Sequence, residues 1–227
     1  MMLALPEIQT CFQIDNVSYV NTLIVENRSL FFKITSDIFS QTEGEDGLSV
    51  LSDKGKIIDI AKNLEIIDNF LTFDLNKKPL LNKIIAALEK VAVDEVHYLK
   101  TQKLLAEIEA ALYDWSFAMP CGIVAAKLSP AVLLKALGIE IANDYTGSKG
   151  VLEKLLDYME LVREFDRNKL FFLINMRAFF DDNEVTLFLQ TATQHQFYLF
   201  LLDNKDYKRL PMEKRLVVDE DLCEIDG

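Results

Sequence analysis

The sequence predicts an α/β protein in which a mainly parallel sheet is split by a block of helices. Three observations lead there. Leu170–Ile174 (LFFLI) and Phe197–Leu202 (FYLFLL) are uninterrupted apolar runs, the make-up of strands covered on both faces. A capped amphipathic segment separates them, and strand–helix–strand in that order is the right-handed crossover unit of a parallel sheet. Between residues 79 and 166, by contrast, apolar residues recur at helical spacing only.

Residues 1–78 read as mixed α/β. Asn21–Glu26 (NTLIVE) is rich in strand formers. Asn27 is placed to cap a helix over Leu30–Phe39, whose apolar residues Leu30, Phe31, Ile34 and Ile38 share one face. Gln41–Gly47 is a polar turn. Short strands are expected at Leu48–Leu51, Lys56–Ile60 and Leu64–Ile67, punctuated by Gly55 and Asn63.

Residues 79–166 read as helix throughout. Pro79 suits a first turn, where its missing N–H has no partner to lose. Leu80, Leu81, Ile84, Ile85, Leu88, Val91 and Ala92 form one stripe, and Leu104, Leu105, Ile108, Leu112 and Trp115 a second. Ser129-Pro130 is a cap followed by a first-turn proline, and Gly138 ends that helix. Val151, Leu152, Leu155, Leu156, Met159, Val162 and Phe165 form a further stripe. Such stripes are expected to bury a face against other helices.

From residue 167 the pattern returns to α/β. Asp181 with Glu184 resembles a capping box opening a helix over Asn183–Ala192. The organisation expected is one α/β head made of 1–78 and 167–227, with 79–166 inserted as a helical region.

Composition excludes several classes. Half of the 227 residues are apolar and 26% are charged, so the chain is not disordered. With 8 Gly and 5 Pro it is neither collagen-like nor linker-rich. The formal charge of −12 argues against a generic basic nucleic-acid binder, although it leaves local patches open. Cys11, Cys121 and Cys223 are odd in number and far apart, which fits neither a disulfide framework nor a zinc ribbon and points to a reducing cytoplasm. Met1–Gln9 lacks the basic leader of a signal peptide. The uncharged run Trp115–Ala126 is too short to cross a bilayer and contains Pro120 and Gly122, so no membrane association is expected.

The chemistry is mostly negative. Parallel strands followed by helices raise the question of a nucleotide site, but the Walker A pattern is absent. Its nearest match, Thr146-Gly-Ser-Lys-Gly150, has the Lys before the second Gly and no strand leading into it. Leu170–Ile174 ends at Asn175, where a magnesium-binding strand would carry an acid. The sheet is therefore expected to be P-loop-like in shape without the P-loop chemistry. His97 and His195 lie in different sections and form no Ser-His-Asp or Cys-His set, so no catalytic residue is assigned. Asp181, Asp182 and Glu184 are accounted for by helix capping, and the tail acids Asp219, Glu220, Asp221, Glu224 and Asp226 by a solvated terminus, so no metal site is assigned.

Some charge features stand apart. Trp115–Ile139 contains no acid, and its only charges are Lys127 and Lys135. A buried helical core and a functional surface both fit that stretch. Lys205, Lys208, Arg209, Lys214 and Arg215 gather ahead of the acidic tail, and Lys54, Lys56 and Lys62 form a smaller group. Each alone is ordinary surface; oligomer symmetry is what could align several into a path for DNA.

The order of elements resembles the Csn2 family of CRISPR-associated proteins. The resemblance runs from about Val25 onward and rests on LSVLSDKGKIIDIAKNLEIIDNFLTFDLNKKPLLNKI, LLKALGIEI, KLFFLINMRAFFDDNEV followed by FYLFLLD, and LVVDEDL. It implies a P-loop-like head with helical legs, assembled as a homotetrameric ring whose basic hole holds double-stranded DNA entered from its ends. It also implies a non-enzymatic part in spacer acquisition, beside the integrase and effector nuclease of a type II-A locus. Within such a ring the candidate DNA contacts are Lys54, Lys56, Lys62, Lys127, Lys135 and Lys149. Family members carry a run of acids before the LxxLG helix that binds calcium. Here that place is Cys121–Ser129, which has no acid, so the calcium site is expected to be lost. The alternative function is a nucleotide-binding P-loop-like enzyme or switch, resting on Thr146–Gly150; a protein–protein scaffold without a nucleic-acid role is a third.

Overall fold

The computed structural model describes residues 1–142 and 145–226. In chain order they form β1 (Met2–Leu5), β2 (Thr10–Gln13), β3 (Val20–Val25), α1 (Arg28–Thr42), β4 (Val50–Asp53), β5 (Lys56–Ile58), α2 (Ile60–Asn63) and β6 (Leu64–Ile67). The helices α3 (Lys78–Ala92), α4 (Tyr98–Ser116), α5 (Pro130–Ala136) and α6 (Gly147–Phe165) follow. Then come β7 (Leu170–Ile174), α7 (Asp182–Gln194), β8 (Tyr198–Asp203), β9 (Glu213–Val218) and β10 (Glu224–Asp226). The chain divides into two compact units, Met1–Phe73 with Asp144–Gly227, and Asp74–Asn143.

The first unit is the α/β fold. Its larger sheet has six strands in the order β10-β9-β3-β8-β7-β6. All adjacent pairs are parallel except β10 against β9. The apolar runs of the sequence are β7 and β8, which lie side by side with Phe172 opposite Phe200 and α7 as the crossover. The pleat sends alternate residues to opposite faces. On one face Leu23, Val25, Phe172, Ile174, Phe200 and Leu202 meet Leu30, Ile34 and Ile38 of α1 in a single core. There Phe172 stacks on Phe200 at 5.1 Å, and Phe12 meets Phe200 edge-on at 5.0 Å. Ile24, Phe171, Leu173, Leu199 and Leu201, on the other face, are buried as well. Burial on both faces is why these strands need no alternating pattern.

The caps expected from the sequence are present. Asn27 Oδ1 accepts from the Leu30 N–H at 3.0 Å, and Ser129 Oγ from Val132 N–H at 3.4 Å. Asp181 Oδ1 accepts from the N–H groups of Asn183 and Glu184, while Glu184 Oε2 accepts from the Asp181 N–H, completing the capping box. Gly138 follows α5 with φ +63°, the left-handed turn that a side chain resists.

The structure also corrects the reading of the helical section. The stripe on α6 was expected to pack with the inserted helices, but α6 belongs to the α/β unit. Leu152, Leu155, Tyr158, Met159 and Val162 are buried there. Tyr158 Oη donates to Glu65 Oε1 on β6 at 2.6 Å, and its ring meets Phe73 edge-on at 5.0 Å. The separate unit is therefore 74–143 rather than 79–166. Since β6 and β7 are parallel neighbours, with Leu64 opposite Leu170, that unit and α6 together make one enlarged crossover.

Within the second unit, Leu80 and Leu105 are buried, but most of the remaining apolar stripe is not. Trp115 is 69% exposed, Phe117 71% and Val124 94%. The acid-free stretch is thus surface in the single chain, and the buried-core reading of it does not hold. The smaller sheet, β2-β1-β4-β5, is antiparallel throughout. Among the described residues no helix is long and apolar enough to cross a membrane.

Candidate functional site at the carboxyl edge of the parallel sheet

In an open parallel sheet, ligands bind beyond the carboxyl ends of the strands, where successive connections leave toward opposite edges. Here the chain leaves β3 toward β6 on one side, and leaves β8 for β9 on the other side of β3. The crevice at that point has a volume of about 390 Å³ and is lined by Glu26, Arg28, Phe31, Asn204, Lys205 and Glu220. A phosphate loop would join β3 to α1. Instead the joint is Glu26-Asn27, without glycine or lysine. The Glu26 N–H donates to the Val218 carbonyl at 2.9 Å. Asn27 Oδ1 already caps Leu30, and its Nδ2 donates to the Glu220 carbonyl at 2.9 Å. The Glu26 N–H and the Asn27 side chain are committed internally, and Glu26 and Glu220 bring negative charge to the place where phosphates would sit.

β3 lies between β9 and β8, and β7 is not its neighbour. The acid that a nucleotide-binding sheet carries at this place is therefore to be sought after β8, and Asp203 is there. Asn175, which follows the run LFFLI, is not that acid, and Asp203 is the final residue of FYLFLLD. Asn175 instead adopts the left-handed conformation, φ 55° and ψ 35°. Its Oδ1 accepts from the Asn204 N–H at 3.0 Å, fastening the loop after β8.

Asp203 is only 1% exposed and is not open for coordination. It belongs to a buried cluster with Arg177, Glu213 and Arg215. The Arg177 side chain is 1% exposed and that of Glu213 0%. Arg177 Nη2 donates to Asp182 Oδ1 at 2.7 Å and to the Lys208 carbonyl at 2.6 Å. Its Nη1 donates to Glu213 Oε1 at 3.5 Å, and the guanidinium lies 4.9 Å from the centre of the Tyr207 ring. Glu213 also accepts from Thr22 Oγ1 at 3.2 Å and from the Leu210 N–H at 2.7 Å. Burial pushes the Asp203 carboxyl up to about 7; the Arg177 and Arg215 charges oppose this and Glu213 adds to it. The Arg177 backbone N–H also favours the ionised form, but neither carboxylate oxygen completes a hydrogen bond.

The stability consequence has a definite sign. The Asp203 carboxyl titrates at about 7 in the folded chain, against an ordinary value of 3.8. Between those values the native state holds a proton that the unfolded chain has released. Stability therefore falls as pH rises through that window and levels off above it. We expect Asp203→Asn to remove this component. Between pH 5 and pH 8 the wild type should lose roughly 3 kcal/mol more than the variant in urea denaturation. Equal losses in the two proteins contradict this account of Asp203.

The lysines singled out in the sequence divide between the units. Lys54 and Lys56 share the exposed β4–β5 turn, where Lys54 has φ 49° and Gly55 φ 76°. Lys62 lies in the last turn of α2, exposed and paired with Asp59 at 3.3 Å. Lys127 and Lys135 are exposed on the second unit, before and at the end of α5. The Lys149 side chain lies outside the described residues. Thr146–Gly150 opens α6, and the described residues before it form no strand.

The histidines are surface groups with carboxylate neighbours. His97 Nδ1 lies 2.8 Å from Asp94 Oδ1, and His195 Nδ1 lies 3.3 Å from Glu160 Oε2. All three cysteines are free and exposed. Calcium takes 6–8 oxygen ligands, usually carboxylates among them. Cys121–Ser129 offers no acid and carries Lys127, so its residues do not fit that ion.

A mainly parallel α/β sheet whose first strand–helix joint carries Glu26-Asn27 in place of a glycine-lysine loop defines a protein of P-loop-like shape without that loop. The model of the CRISPR-associated Cas_Csn2 proteins matches residues 41–222, and the chain belongs to that family. The crystal structure of Stu0660 of Streptococcus thermophilus is similar in fold, with a TM-score of 0.61 at 13% sequence identity, over 96% of this chain and 74% of that one. No curated protein matches the sequence.

Proposed function

We propose that this CRISPR-associated protein binds double-stranded DNA without catalysing a reaction. It assembles as a homotetrameric ring, holds linear duplex in a basic central hole, and serves spacer acquisition beside the integrase and effector nuclease of its locus in the cytoplasm. The observation that carries this reading is the joint after β3. The joint where a phosphate loop would lie is Glu26-Asn27: the Glu26 N–H and the Asn27 side chain are committed to the protein's own backbone, and the Glu26 carboxylate brings negative charge. Family membership supplies the CRISPR context. The exposed lysines at 54, 56, 62, 127 and 135, with Lys149 by sequence, supply positive charge that a ring could concentrate on one surface.

The nucleotide-dependent alternative loses support. Thr146–Gly150 opens a helix with no strand among the described residues just before it, and Asp203 is sealed from solvent. Assembly is supported by the second unit, whose exposed Trp115, Phe117, Leu99 and Val124 are the kind of surface that stable interfaces cover. Light scattering at micromolar concentration tests it. We expect four times the chain mass, and a clean monomer contradicts the ring.

A further inference from the structure

We infer that the loop after β8, Asn204–Arg209, is a preformed phosphate-contacting element that presents Lys205, Lys208 and Arg209 to the nucleic-acid backbone. The inference rests on the duplex-binding function proposed above and adds residues to the candidate contacts Lys54, Lys56, Lys62, Lys127, Lys135 and Lys149.

The basic run before the acidic tail resolves into two kinds of cation. Arg215, with its side chain 6% exposed, is a brace: it donates to Asp206 and, at 2.9 Å, to the Tyr207 carbonyl. Arg177 braces the same loop from beneath through the Lys208 carbonyl and the Tyr207 ring. Asn175 Oδ1 holds the Asn204 N–H, and Glu213 holds the Leu210 N–H, with Leu210 itself buried. The loop is thus fastened at its start, middle and end by groups that are themselves mostly buried.

Lys214 lies in β9, its Nζ 5.2 Å from the centre of the Tyr19 ring, and the three cations of the loop itself face outward. Lys205, Lys208 and Arg209 are exposed, and no carboxylate of the described residues pairs with them. Lys205 Nζ lies 5.4 Å from the centre of the Tyr207 ring, which limits its freedom without neutralising it. The loop's own acid, Asp206, is spent on Arg215. Lys205 also lines the crevice shared by Arg28, Glu26 and Glu220, whereas Lys208 and Arg209 lie outside its lining.

A chain of net charge −12 that holds a loop rigid while leaving its cations unpaired has positioned them for an anionic partner. Fixed loops lose little conformational entropy on binding. Cations spread along a backbone segment suit phosphates in series, contacts that carry no sequence information.

The test is the variant Lys205→Gln/Lys208→Gln/Arg209→Gln in the full-length protein, with Lys33→Gln/Lys90→Gln/Lys100→Gln as a charge-matched control of exposed lysines elsewhere. Binding of a linear duplex is measured from about 50 to 200 mM salt by fluorescence anisotropy. Each lost phosphate contact removes about 0.9 from the slope of log affinity against log salt. We expect the loop variant to bind at least about tenfold more weakly at low salt with a visibly shallower slope, and the control to keep the wild-type slope. Thermal unfolding like that of the wild type confirms that the surface changes leave the fold intact. Wild-type binding with an unchanged loop-variant slope, or an equal slope change in the control, overturns the loop's role and leaves the duplex-binding function standing. No binding by the wild type overturns both.

Discussion

Replacing Arg177 by alanine is expected to lower the stability of the α/β unit by about 3–5 kcal/mol, the cost of leaving buried charge without its partner. Glu213 has no exposed side-chain surface and would keep only the neutral donors Thr22 and Leu210. Asp203, whose ionised form Arg177 favours, would lose that support and be driven further toward its protonated state. The Lys208 carbonyl and the Tyr207 ring would lose the group that fastens them. Arg177→Met keeps much of the side-chain volume but none of the charge, so it should recover only the packing share of the loss. Denaturant unfolding of the variants, followed by tryptophan-independent circular dichroism, measures both. An Arg177→Ala protein as stable as the wild type contradicts the central place given to this guanidinium.

Duplex binding is expected to weaken by about a thousandfold or more between about 50 and 200 mM salt, if 6–10 phosphates are neutralised by the assembled subunits. The reason is the charge balance. A chain with 36 acids and 24 bases repels DNA unless its cations converge on one surface, so most of its affinity must come from released counterions. Reversing charge on both units, Lys54→Glu with Lys135→Glu, should weaken binding and flatten the slope. A chelator should change affinity little, because Cys121–Ser129 supplies no carboxylate for calcium. Fluorescence anisotropy across a salt series reads all of these. A salt-independent affinity contradicts phosphate contact as the mode of binding.

What the sequence made legible was whatever a local pattern decides. The strands LFFLI and FYLFLL, the Asn27 and Ser129 caps and the Asp181–Glu184 box depend on residues within one turn or one run, and all are in place. The strands β1, β2, β9 and β10 have no such local signal, and Glu224–Asp226, expected as a solvated terminus, pairs with β9 as β10. The turn between β1 and β2 is closed by Gln9 at φ 51° rather than by a glycine, and β9 opens with Glu213, Lys214 and Arg215, which disguise a buried strand. Glu213 is apolar neither in type nor in pattern; its burial follows from Arg177, which lies 36 residues away in sequence. The same limit applied to the site. Which strand lies beside β3 is a fact of sheet order, so the acid at Asp203 could not be told from any other strand-ending residue until β8 was placed. Helical periodicity likewise showed that α6 has an apolar face without saying which unit covers it.

The most direct test of the account is a competition between linear duplex and a covalently closed circle of the same sequence and length for the purified protein at low salt. Threading through a ring requires a free end, whereas a surface groove reads the same phosphates on either molecule. The account predicts that linear duplex competes effectively, that the intact circle competes poorly, and that cutting the circle once restores competition. Equal competition by the closed circle and the linear duplex contradicts it.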